Sequence, residues 1–351
     1  MTTDATTQPQ VMAQFRVSPL AVAGGILVAA LLAWLGKNLA DEPSQFFRVF
    51  LIGLTLGAVY ALVALGYSLV YGILELINFA HGDVFMLAGM ISTTMLVSVF
   101  DLHEHESLGK LIPSVLGMLA VAMVACGLIN ATVEKIAYRP LRGASRLAPL
   151  ITAIAASFIL QNVGLAWKGE RPVQSPNTLP AGHLFEIGGV AVTWRQLIVL
   201  FITVPVLAGL VWLVQSTRQG KAMRATAQDK DAAAMMGINV NRTISFTFLI
   251  AGGLAGAAGV IYTLYVTSVK FDTGFQLGLI AFTAAVLGGI GNLPGAVVGA
   301  LVIGLIQAFN EGLAWHAPGA SWTQSIVFSI LILILVFRPE GILGERTPEG
   351  Q

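Results

Sequence analysis

Charge is scarce in this chain of 351 residues. Only 11% of it is Asp, Glu, Lys or Arg, against roughly a quarter in an ordinary soluble domain, while 56% is hydrophobic. That balance excludes a soluble globular protein and leaves a polytopic membrane protein. The 19 basic residues barely exceed the 18 acidic ones, so no basic surplus points to nucleic acid. The single cysteine, Cys126, lies in an apolar run and cannot form an internal disulfide, so redox compartment is not readable. Catalytic signatures are missing too. Gly220-Lys221 is followed by Ala222, with no glycine five residues before Gly220, so there is no Walker A loop and no ATP site in this chain. There is no His-Glu-x-x-His helix and no Gly-x-Ser-x-Gly elbow. His103-Glu104-His105-Glu106 alternates potential ligands, yet it suits a solvated loop better than a metal centre, and no bound metal or cofactor is expected.

What the chain has is long uncharged runs: 17–36, 49–74, 84–100, 111–133, 147–167, 196–217, 243–269, 273–310 and 312–337. Most reach the ~20 residues that a spanning helix needs. The run 273–310 is too long for one crossing and carries Gly291-Asn292-Leu293-Pro294-Gly295, a turn signal, so it divides in two. The expectation is an all-α fold of about ten apolar helices.

Basic residues in short loops set the orientation. Lys135, Arg139, Arg142 and Arg146 follow the fourth run, and Arg218, Lys221, Arg224, Lys230 and Arg242 follow the sixth; both loops are expected in the cytoplasm. Asp101 to Glu106 is acidic and is expected outside. Ten crossings then put both termini inside, with Arg338 and Arg346 in the cytoplasmic tail. The main exterior excursion is 168–195, with a small hairpin expected around Gly188-Gly189. The first run follows Arg16 but is longer than a signal-peptide core and lacks a clear cleavage site, so a retained anchor is preferred.

Three polar or glycine-rich features stand out. The loop 218–242 offers charges at its ends around Ala232-Ala233-Ala234-Met235-Met236, with a short helix expected in it that ends in glycine. Glu75-Leu76-Ile77-Asn78-Phe79-Ala80-His81-Gly82-Asp83 joins the second and third runs without a Lys or Arg. Ionisable groups there are costly unless they face a cavity or partner, although capping by Asn78 or Asp83 is the preferred reading over substrate contact. Phe79-Ala80-His81-Gly82 is echoed by Phe271-Asp272-Thr273-Gly274, expected on the opposite side of the membrane, as in transporters built from inverted repeats. Glycines at 252, 253, 256 and 259, and at 288, 289, 291, 295, 299 and 304, allow close helix approach.

These motifs resemble the LivH kind of permease subunit of branched-chain amino acid ABC importers. The matching stretches are Gly53 to Leu62, Gly66 to Gly72, Ile77 to Asp83, Ala137 to Arg142, Arg218 to Ile238, Ala281 to Gly291 and Pro339 to Gly344. They cover 46–344 in order, leaving 1–45 as an extension with an extra helix and 345–351 as a tail. The resemblance implies a multi-pass protein of the bacterial inner membrane that pairs with a paralogous, LivM-like permease. Two ATPase subunits, LivG-like and LivF-like, would bind ATP and Mg, and a periplasmic binding protein would deliver leucine, isoleucine or valine. It also implies that the loop after the sixth run couples to an ATPase, through Arg218, Gly220, Arg224, Asp229, Lys230, Ala233, Met235, Met236 and Gly237.

Alternating access driven from that loop is the expected mechanism. The candidate pathway residues are Tyr60, Asn78, Phe79, His81, Gly82, Asp83 and Gly274, since helices beginning near Asn78 and Gly274 can favour a substrate carboxylate. Related permeases for urea, short amides or other amino acids stay open as alternatives. An ion-coupled transporter using Glu75, His81 or Asp83 ranks lower, and a membrane enzyme using His81, Asp83 and His316 ranks last.

Overall fold

The computed structural model describes residues 19–104, 106–145, 147–180 and 182–344. Arg16, His105, Arg146, Arg346 and the tail 345–351, each invoked above, lie outside the described residues. The apolar helices are α1 (Pro19–Asp41), α2 (Pro43–Leu74), α3 (Ala80–Thr94), α4 (Leu108–Val133), α5 (Leu147–Lys168), α6 (Trp194–Ser216), α9 (Val240–Val266), α10 (Thr273–Gly288), α11 (Leu293–Gly312) and α12 (Ala320–Phe337). Two short polar helices, α7 (Arg218–Gln228) and α8 (Lys230–Met235), link α6 to α9. Wider π-turns extend α3 over Met95–Val99 and α4 over Glu134–Tyr138. Among the described residues nine apolar helices are long enough to cross a bilayer, and α10, with 16 residues, is the short tenth.

The second span begins at Pro43 rather than near 49, because a proline at a helix start removes no needed donor. Its 32 residues run about 48 Å, longer than a ~30 Å hydrocarbon core, so one end protrudes. The long eighth run divides as its turn signal predicts. Gly289 and Gly291 take φ of +107° and +93°, and the Asn292 side chain accepts from the Gly295 amide at 3.0 Å to start α11.

The middle of α2, from Ala58 to Val70, is buried on every side. Against it lies α11, brought close by glycine: a Cβ on Gly57 would meet the Leu301 Cα at 2.8 Å. Without a hydrophobic drive between helices in lipid, such backbone approach supplies the packing. The ring is completed by α3, α6, α9 and α10, whereas α12 is mostly outward-facing. The first helix is peripheral and is fixed near its end. The Trp34 indole donates to the Trp315 carbonyl at 2.9 Å, and Asn38 both donates to and accepts from the Trp315 backbone.

The excursion after α5 holds β1 (Val173–Gln174), β2 (His183–Ile187) and β3 (Val190–Thr193). The last two pair as a hairpin around Gly188-Gly189, and β1 pairs with β4 (Ser268–Val269) after α9. Gly189 approaches Ser44, so the start of α2 shares a side with this excursion. The other end of α2 meets α7. There Ser68, Gly72 and Ile73 line a cleft of about 110 Å³ together with Met223, Arg224 and Gly291.

Candidate functional site

The polar element between α6 and α9 is two helices rather than the single one expected, and Asp229 is the reason. It ends α7 and starts α8, its carboxylate accepting from the amides of Asp231 and Ala232 at 2.8 and 2.9 Å. An N-cap of this kind is worth about 1 kcal/mol. Asp229 is thus spent inside the chain. So is Arg224, whose guanidinium donates to the carbonyls of Val214 and Gln215 at the end of α6, where helix carbonyls lack intrahelical donors. Thr217 caps α7 by accepting from Gly220 at 3.0 Å. A side chain at Gly220 would strike the Leu213 and Val214 carbonyls.

At the other end, Gly237 has φ of +82°. Its amide donates to Ala234 and the Ile238 amide donates to Ala233, both at 3.0 Å, a Schellman ending that fits glycine. Ala233, expected at the surface, is 4% exposed and packs inward. Met235 and Met236 point out, at 82% and 83% exposure, and Arg218 and Lys230 are also exposed. The pair of methionines is therefore a projecting apolar tip on a base locked by Asp229, Arg224 and Gly220. Methionine is adaptable enough to suit a docking surface.

Two neighbouring devices tie this end together. Glu134, fully buried, pairs with Arg142 and accepts from Ser245 at 2.6 Å, joining the end of α4 to the start of α9. After α12 the chain returns across the α10–α11 turn: Ile342 and Leu343 donate to Leu287 and Gly288 at 2.8 and 3.0 Å, and Asn292 donates to Leu343 at 2.7 Å.

The second cluster lies where α3 and α10 begin. The two helix starts, expected on opposite sides of the membrane, touch: a Cβ on Gly274 would lie 2.6 Å from the Gly82 oxygen and 2.8 Å from the Asp83 Cα. The chain reaches them from opposite ends of the molecule, α10 following β4 on the side of the excursion and α3 following the end of α2 near α7; they meet because α3 starts after a fold-back, so that His81 sits over Gly66, two turns before the end of α2. His81 is fully buried, edge-on to Tyr67 with ring centres 4.9 Å apart. Asp83 is fully buried and accepts from Ser157, while its other oxygen is unpartnered.

Neither Asn78 nor Asp83 caps α3, which corrects the capping expectation: the residue at that position is Phe79, without a side-chain cap bond. Asn78 instead crosslinks helices. It donates to Asn130 at 3.1 Å and accepts from the Tyr138 hydroxyl at 2.8 Å, while Asn130 donates to the Phe248 carbonyl at 2.7 Å. Phe79 is half-buried beside Phe282. Tyr60 belongs to a different place, donating to Gln307 of α11 at 2.6 Å. Sequence reading passed over Asn130, Ser157 and Gln307. The only available signal was a polar residue inside an apolar run.

A family model described as the permease component of branched-chain amino acid transport systems matches residues 49–336. The chain is 37% identical over 311 residues to the BraD permease protein of a high-affinity branched-chain amino acid transport system from Pseudomonas aeruginosa, covering 88% of this chain and 99% of that one. It is 34% identical over 315 residues to the corresponding LivH protein of Escherichia coli, and 34% identical over 314 residues to that of Salmonella typhimurium, each match covering 89% of this chain and 99% of the relative. Helix α1 precedes the matched interval.

Proposed function

The chain belongs to the family of branched-chain amino acid transport permease components, and from that premise we propose that it carries leucine, isoleucine and valine into the cytoplasm as one permease of an ABC importer. Its pathway forms against a paralogous permease. Two ATPase subunits, holding ATP and Mg, drive it from the cytoplasm, and a periplasmic binding protein loads it from outside. The α7–α8 side is cytoplasmic, as the basic residues around it suggest, and both termini lie on that side.

One observation carries the coupling role: Met235 and Met236 project from a base that Asp229, Arg224 and Gly220 fix within the chain. A chain without a nucleotide motif needs an input of energy from a partner, and a rigid element with an adaptable apolar tip suits its transmission. ATP-driven movement of α8 passes to α7, which borders the cleft with Gly72 and Gly291. The α10–α11 turn then moves α10, whose far end closes on Gly82 of α3. His81 and Asp83, shut in by that junction, are the groups that its opening exposes to substrate.

The test is reconstitution of this chain with its partner permease, ATPases and binding protein in proteoliposomes. Uptake of labelled leucine that requires ATP is the expected result. Uptake driven by a proton gradient without the ATPases would overturn the reading.

A further inference from the structure

At the end of the molecule away from α7–α8, α11 carries a polar ladder. Tyr60 of α2 donates to Gln307 at 2.6 Å, Gln307 donates to Glu311 at 3.1 Å, and Thr323 of α12 donates to the same Glu311 oxygen at 2.7 Å. Both donors to Glu311 are neutral, and no ion pair among the described residues involves it. Glu311 is thus held at the end of a spanning helix by neutral donors alone.

Its direction follows from helical spacing. Ala296, Ala300 and Ile303 are fully buried, and Gln307 and Glu311 continue that stripe by steps of three and four. The opposite face, with Val298 and Phe309, looks outward or toward the start of α2. Glu311 is nonetheless exposed, because the neighbouring helix leaves. The C-terminal end of α10 closes on α11 at Gly288 and Gly295, while its N-terminal end closes on α3 at Gly82, leaving Phe275 and Gln276 uncovered.

Aromatic hydroxyls border the same rim. The Tyr60 hydroxyl lies within electrostatic range of Glu311, Tyr262 and Tyr265, and Tyr265 lies within range of Arg195, in the first turn of α6. Arg195 likewise forms no ion pair among the described residues. Glu311 and Arg195, neither in an ion pair among the described residues, thus both lie within electrostatic range of this group of tyrosines.

We infer that this rim is the entry site for a zwitterionic α-amino acid: Glu311, backed by Gln307 and Tyr60, receives the ammonium, and Arg195 draws the carboxylate. A charge on each side selects against neutral solutes such as urea and short amides, which would leave both side chains desolvated without a partner. The inference rests on the importer reading and names the recognition chemistry within it.

The test uses the complete transporter in proteoliposomes, with leucine presented on its binding protein, and compares Glu311→Gln, Glu311→Asp and Arg195→Gln with the unaltered chain. Glu311→Gln keeps an acceptor for Thr323 and Gln307 while removing the charge. Leucine taken up per ATP hydrolysed is expected to fall about tenfold in each Gln variant, the effect of one lost charge-assisted contact. Glu311→Asp is expected to restore most of it. Unchanged uptake in either Gln variant overturns the assignment. Failure of both Glu311 variants to assemble with the ATPases also overturns it, because Glu311 would then serve only to hold α12. An unaltered transporter that moves no leucine under ATP would instead sink the importer reading itself.

Discussion

Gly82 of α3 and Gly274 of α10 meet backbone to backbone, each so close that a Cβ on one would fall against the carbonyl of the other. Two helix starts about 190 residues apart in sequence are thereby packed into one junction, with the buried side chains of His81 and Asp83 beside it. A methyl group at either glycine forces the helices apart. Gly274→Ala is expected to lower stability by roughly 1–3 kcal/mol, the usual cost of overpacking, and to impair leucine uptake. Thermal unfolding in detergent together with a transport assay checks both; a variant that matches the parent in each would show that the junction yields without consequence.

The methionine tip predicts the opposite pattern. Met235 and Met236 are more than four-fifths exposed, so replacing both with Asp is expected to leave the melting temperature nearly unchanged, as surface substitutions do. Copurification of the ATPase subunits is expected to be lost. Retention of the ATPases at parental stoichiometry would remove these residues from the coupling surface.

Gly220 separates local geometry from docking. Its place against the Leu213 and Val214 carbonyls means that Gly220→Ala pushes α7 off the end of α6 without touching the exposed tip. The expected outcome is a complex that still holds its ATPases but hydrolyses ATP with little uptake. Leucine uptake per ATP equal to that of the parent would contradict this linkage.

Asn78 is expected to behave as a crosslink. Asn78→Ala strands the Tyr138 hydroxyl and one acceptor of Asn130 in a buried setting, at about 1–3 kcal/mol for each group left unsatisfied. A marked fall in the yield and melting temperature of the purified chain is expected. Normal stability combined with altered substrate preference would instead return Asn78 to the pathway.

Much of the architecture was legible because apolar runs and breakers are local signals. The turn after α10 was readable from Gly291-Asn292-Leu293-Pro294-Gly295, whose glycines and asparagine serve in the turn as their types suggest. The ending of α8 at Gly237 was readable for the same reason. The division between α7 and α8 was not legible, since it depends on the Asp229 carboxylate meeting the amides of both Asp231 and Ala232. That Ala233 packs inward was not legible, because six residues do not define a helical face until neighbouring helices pack against it.

By itself the sequence determined that this is a helical membrane protein, that its long eighth run divides at Gly291 to Gly295, and that it has no nucleotide motif of its own. Those properties follow from composition and from residues close along the chain, since lipid demands that each spanning segment satisfy its own backbone. Only the tertiary structure decided that Gly82 meets Gly274, that Asn78 bonds to Asn130 and Tyr138, and that Glu311 continues a buried stripe to an open rim. Small residues in many helices can pack in many pairings, and only the assembled bundle selects which backbones come into contact.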